Sequence, residues 1–265
     1  MTTKGPAPIN PLSARSLYLN LTARDQELSI ATGFVVKWND QPYLITNRHV
    51  VSGRHPETNK VISPTAAVPD EIRITHHGQH LGKWVKRSES LLDGEGSPRW
   101  LEHRSGGQVD VVALPLHAID DQVKLYYFDL SLADADMIPE VAMPVSIIGF
   151  PKGLVSSGMF PIWKTGHIAS DHDLDYQGKP AFLIDATTRE GMSGSPVVLR
   201  LLGGYTTKSG ATIMTQSRPK TRFLGIYSGR IHRDSEIGIV WRPRVITEIL
   251  DQVGEAKLGA QPHDA

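Results

Sequence analysis

The chain has 265 residues, enough to bury a sizeable core and close to the length at which one core gives way to two. Its 28 Lys and Arg balance 28 Asp and Glu, so no net field draws it toward nucleic acid or an anionic membrane, and no apolar run reaches membrane-spanning length. With no cysteine, disulfide frameworks, thiolate zinc sites and thiol nucleophiles are excluded together. The same absence suits a reducing compartment, and the opening MTTKGPAPINPLSARS lacks the apolar stretch of a secretory signal, so a cytoplasmic location is expected.

Residues 1–16 read as a flexible segment. From Leu17 onward the apolar stretches are short, rich in Val, Ile, Thr and aromatics, and cut by Gly, Pro, Asn and Asp, which is the pattern of antiparallel strands. LYLNL from Leu17, IATGFVVKW from Ile30, QPYLIT from Gln41, EIRIT from Glu71, KWVKR from Lys83 and DVVALPL from Asp110 supply six strands for one β-barrel over 17–118. A stretch containing Pro and Asp reads as a linker over 119–144. PVSIIGF, PIWKTGHIA, PAFLIDA, SPVVLR, RFLGIYSG and EIGIVW supply six more for a second barrel over 145–254. Apolar residues at helical spacing in VITEILDQV, from Val245 to Val253, end that unit with a short helix, and 255–265 reads as a tail. The polar segment from Gly203 to Lys220 has little periodicity and reads as a long exposed hairpin connection. The expected fold class is therefore all-β, with two six-stranded antiparallel barrels and a C-terminal helix.

Three segments carry residues suited to chemistry. In DATTREGMSGSPVV, from Asp185 to Val198, Gly191 and Gly194 flank Ser193 between two strands and permit backbone angles that a β-carbon opposes. Such a turn can hold a hydroxyl on a tight bend with its amides aimed inward. In YLITNRHVV, His49 lies just beyond a buried strand, and in VDVVALPL the carboxylate of Asp110 stands at the mouth of a strongly apolar one, where it needs a partner. An imidazole, a carboxylate that orients it and a hydroxyl that it activates are the parts of nucleophilic acyl transfer. Ser195 competes with Ser193, but it immediately precedes Pro196 and should already enter a strand.

ITNRHVV, VDVVALPL and GMSGSPVV occur in the order His, Asp, Ser, and together they resemble the trypsin-like serine peptidases of bacteria. IIGFPKG at Ile147 and FLGIYSG at Phe223 are also similar to segments of that family, so the likeness spans nearly Leu17 to Val253. The resemblance implies a serine endopeptidase with His49, Asp110 and Ser193 as its triad, and the backbone N–H groups of Gly191 and Ser193 as the oxyanion hole. It implies a substrate pocket formed by Thr187, Thr188, Tyr227, Ser228, Gly229, Arg230 and Gly238. Protein or peptide is the implied substrate, and no cofactor or metal is needed.

Two departures matter. Met192 replaces the aspartate that, in animal digestive relatives, pairs with a newly cut N-terminus, so activation by such cleavage is not expected. Thr187 stands where preference for Lys or Arg would need an aspartate, so cleavage after an uncharged residue is expected, with an acidic one the alternative if Arg230 points inward. A selective processing role is anticipated, in stress or antiviral defence, and a latent enzyme would need a regulatory partner. The alternative is a protease-like binding module without turnover. His76, His77 and His80 in ITHHGQH lack further ligands and are expected to be solvated, while Trp84, Trp100, Trp163 and Trp241 are read as packing residues.

Overall fold

The computed structural model describes residues 9–232 and 234–259. The first half contributes strands β1 (Ser16–Ala23), β2 (Gln26–Trp38), β3 (Gln41–Thr46), β4 (Glu71–Gly78), β5 (Trp84–Ser90), β6 (Leu101–Glu102), β7 (Val112–Pro115) and β8 (Val123–Lys124), with a one-turn helix α1 (Arg48–Ser52) between β3 and β4. Tight turns join β1 to β2 through Arg24–Asp25 and β2 to β3 through Asn39–Asp40, all four residues at positive φ. Paired left-handed residues match the twist of the strands they connect. The sheet is antiparallel in the order β5-β4-β1-β2-β3-β7-β6, with β8 paired to β4. It therefore has eight strands where six were expected, and its hydrogen-bonded path does not return on itself. The two extra strands are two residues long, too short to show a period.

The second half holds β9 (Pro144–Gly149), β10 (Ile162–Ile168), β11 (Ala181–Asp185), β12 (Pro196–Thr206), β13 (Thr212–Arg230), β14 (Ile237–Trp241) and the helix α2 (Arg244–Gly259). These six strands close a barrel in the order β10-β11-β14-β13-β12-β9. The segment 203–220, expected to be a long connection, is instead mostly paired: Gly203 to Thr206 meet Thr215 to Thr212, and only the tip turns. Helix α2 runs six residues past the expected Val253. The flexible ends expected from the sequence fall partly on 1–8 and 260–265, outside the described residues; Leu12 and Ala14, by contrast, are buried, and Trp163 donates to Ser13 Oγ at 2.9 Å.

Strand alternation sorts the apolar residues into three cores. Leu17, Leu19, Val35, Leu44, Ile72, Ile74 and Leu114 fill the first sheet, and Val145, Ile147, Phe182, Ile184, Val197 and Leu199 fill the barrel. The opposite faces of the same strands meet between the two: Phe34, Val36 and Ile45 from the sheet pack with Ile148, Val198 and Phe223 from the barrel. Phe34, Phe128 and Phe223 form a ring cluster with centroids 4.6–5.9 Å apart. Helix α2 presents Val245, Ile246, Ile249 and Leu250 to this seam, one face of a helix at the expected spacing.

Candidate active site

The antiparallel register of β3 and β7 pairs Thr46 with Val112, and continuing it two residues brings Asp110 against Arg48 and His49. Asp110 is 1% exposed, and its carboxylate is satisfied on both oxygens. Oδ1 accepts the His49 backbone N–H at 2.8 Å, while Oδ2 lies 2.6 Å from His49 Nδ1 and also accepts the hydroxyl of Ser228. Asn47 donates to the Asp110 carbonyl at 2.7 Å, so the backbone is held as well as the side chain. Because an ionised carboxylate only accepts, the network assigns the imidazole proton to Nδ1 and leaves Nε2 as an acceptor.

His49 Nε2 lies 3.0 Å from Ser193 Oγ. His49 in α1 and Asp110 just before β7 belong to the first half and Ser193, just before β12, to the second, so the three meet at the seam. Ser193 sits on the turn that leads into β12, with Gly191 and Gly194 at φ +89° and +84°. A β-carbon on Gly191 would stand 2.2 Å from the Phe150 carbonyl oxygen, and one on Gly194 would stand 2.0 Å from that of Thr32, so both positions need glycine on two counts.

Thr32, a residue the sequence reading passed over, ties this turn to the first sheet. Its N–H donates to the Ser193 carbonyl at 2.9 Å, and its hydroxyl donates to the Gly191 carbonyl at 2.8 Å while accepting from Phe150 N–H. Two further bonds set the orientation of the turn's peptides: the Glu190 carbonyl accepts from Lys152 N–H at 2.6 Å, and the Met192 carbonyl from Ser195 N–H at 3.0 Å. Among the described residues, the N–H groups of Gly191 and Ser193 on the opposite sides of those peptides have no protein acceptor. Met192 itself is fully buried in the barrel core. Ser195 is also fully buried, with its hydroxyl unpartnered, and takes no part in the cluster.

Residues 31–201 match the trypsin-like peptidase domain family. The chain belongs to the trypsin-like peptidases. No curated protein matches its sequence. Among solved structures it is similar to a serine endoprotease from Yersinia pestis, at 13% identity and a TM-score of 0.54, over 96% of this chain and 69% of that one. It is also similar to a protease from M. tuberculosis in its active form, at 18% identity and a TM-score of 0.48, over 92% of this chain and 82% of that one. The first likeness shows the fold, an all-β chymotrypsin-like architecture.

In this trypsin-like chain a cleft of about 1010 Å³ opens beside His49, Asp110 and Ser193. Ser228, Gly229 and Arg230 line one wall, and the loop around His55–Asn59 meets the Tyr176–Lys179 turn at another, where Glu57 and Lys179 approach to 3.8 Å. The seven residues expected to form one substrate pocket separate. Thr188, Tyr227 and Gly238 are buried against one another away from the cleft, and Thr187 is exposed outside it. Tyr227 links these three, because its hydroxyl bonds to Thr188 Oγ1 and its ring would stand 2.6 Å from a β-carbon on Gly238. Arg230 is engaged by Glu236 at 3.9 Å.

His76 and His77, expected to be solvated, are each 1% exposed. His77 packs against Trp84, Tyr126 and Phe160. Desolvation pushes both imidazoles down to about 4. Among the described residues no group of three or more His, Asp or Glu is arranged to hold a metal ion.

Proposed function

We propose that this trypsin-like peptidase is a serine endopeptidase in which Ser193 is the nucleophile, His49 the general base and Asp110 the group that orients the imidazole. The observation that carries this reading is the continuous chain from Asp110 through His49 to Ser193, with contacts of 2.6 and 3.0 Å. Ser193 Oγ attacks the scissile carbonyl as its proton passes to His49 Nε2, and the imidazolium then gives that proton to the leaving amine. Water completes the cycle by the reverse route, cleaving the acyl-enzyme. Asp110 stays ionised throughout and stabilises the charged imidazole. The unpaired N–H groups of Gly191 and Ser193 receive the developing oxyanion, and the held carbonyls of Glu190 and Met192 keep them aimed without an N-terminal ion pair.

Protein or peptide is the substrate, and the lack of an acidic side chain at Thr187 and Thr188 argues against Lys or Arg before the cut. The cysteine-free sequence supports work in a reducing compartment, consistent with selective processing in the cytoplasm. One contact favours a second reading: Ser193 Oγ is also 2.9 Å from the Ser228 carbonyl, an alternative resting place for its single proton. A hydroxyl parked there describes a latent protein that awaits a partner. Labelling with a fluorophosphonate separates the two. Covalent labelling of the wild type that disappears in Ser193→Ala supports the peptidase; folded protein that neither labels nor cleaves any peptide supports the binding module.

A further inference from the structure

Resting on the peptidase reading, we infer that cleavage follows residues no larger than Gly, Ala or Ser, because the ring of Tyr227 fills the recess beside the oxyanion donors that would otherwise receive a larger side chain. Acyl chemistry at Ser193 fixes where the residue before the cut must lie. Its carbonyl oxygen faces the N–H groups of Gly191 and Ser193, so its side chain turns into the space bounded by the 187–191 segment and the 227–230 segment.

That space is occupied by the protein. Tyr227 is 2% exposed, its hydroxyl is bonded to Thr188 Oγ1, and its ring lies so close to Gly238 that a β-carbon there would meet Cε2 at 2.6 Å. A β-bulge between Tyr227 and Gly229 separates the tasks of neighbouring side chains. Ser228 reaches Asp110, while Tyr227 joins the barrel core. The backbone of Tyr227 cannot withdraw easily, since its N–H donates to the Ser195 carbonyl and its carbonyl accepts from Gly194 N–H, both at 2.9 Å. The plug is thus tied to the turn that carries the nucleophile. The open volume lies elsewhere, along Ser228–Arg230 and the Glu57–Lys179 crossing. An acidic side chain gains little either, because Glu236 already engages Arg230 at 3.9 Å and Arg189 at 3.4 Å.

The test is cleavage of a diverse peptide library by wild type, Tyr227→Ala, Tyr227→Phe and Ser193→Ala, with cut sites read by mass spectrometry and each protein titrated with a fluorophosphonate. Wild-type cuts are expected after Gly, Ala and Ser. Tyr227→Ala, which opens the recess, is expected to shift the kcat/KM ratio toward Leu, Met or Phe by about tenfold or more. Tyr227→Phe keeps the ring and is expected to keep the small-residue preference, which preserves the test if the alanine variant does not fold. Ser193-dependent cutting by wild type after large residues overturns the inference and leaves the peptidase reading intact, as does an unchanged preference in a Tyr227→Ala protein that still labels. Folded wild type that neither labels nor cuts overturns both.

Discussion

Thr32 bonds to three residues on the far side of the seam, and its side chain is where the turn that carries Ser193 leans on the first sheet. Thr32→Val keeps the shape but removes the hydroxyl, leaving the Gly191 carbonyl and the Phe150 N–H buried without partners. Each such loss costs about 1–3 kcal/mol, so kcat is expected to fall by tenfold or more with KM little changed, and Thr32→Ser to restore most of it. Steady-state kinetics with a small-residue ester checks this. Ser195→Ala is expected to do the opposite of its neighbour's replacement: activity stays, and stability changes by less than about 1 kcal/mol, because the deleted hydroxyl has no partner to lose. His49, Asp110 and Ser193, which the structure brings into one cluster, drew notice in the sequence because each stands in a distinctive local setting. Thr32 did not, since a threonine inside IATGFVV looks like any strand residue and its partners lie more than a hundred positions away. Tyr227 was assigned to the substrate pocket from its segment alone, and its packing against Gly238 and Thr188, from which the small-residue preference is inferred, rests on contacts that the sequence does not display.

Strand β4 carries two adjacent histidines, and adjacent residues on a strand face opposite sides, so both faces must be covered for both to be buried. The strand was recognised from EIRIT, yet its last turn of sequence, HHG, looked polar enough to be wet. Tyr126 and Phe160, from elements far away in the chain, supply the missing cover for His77. Burial lowers both pKa values from the ordinary 6.5 to about 4, so the unfolded chain binds protons that the folded one refuses. Stability is therefore full above about pH 6.5 and is lost as pH falls toward 4, by up to roughly 1.4 kcal/mol per pH unit for each histidine. Thermal unfolding followed from pH 7 to pH 4 should show this slope, and His77→Phe should flatten it. The β12–β13 hairpin was misread for the complementary reason. Leu202 and Met214 are 66% and 70% exposed, and strands without a buried face show no alternation to read.

The two halves share an apolar seam, and that seam is what brings His49 and Asp110 to Ser193. Phe223 stands at its centre between Phe34 and Phe128, so Phe223→Ala should cost about 3–5 kcal/mol. A single cooperative transition, with intrinsic fluorescence and catalytic activity lost together, is the expected outcome in denaturant; separate transitions would mean that the halves fold alone. Two sheets, twelve of the strands and the terminal helix were readable from alternation and turn residues, and the second sheet closes as expected, whereas the open path of the first was not foreseen, because it depends on pairings between distant segments. The seam also has a consequence for what the enzyme's surroundings can do to it. With no cysteine anywhere in the chain, no disulfide spans the two halves. Thiol reductants therefore leave the alignment of His49, Asp110 and Ser193 untouched, while hydrostatic pressure, which favours wetting of apolar contacts, is expected to unfold both halves together with the seam that joins them.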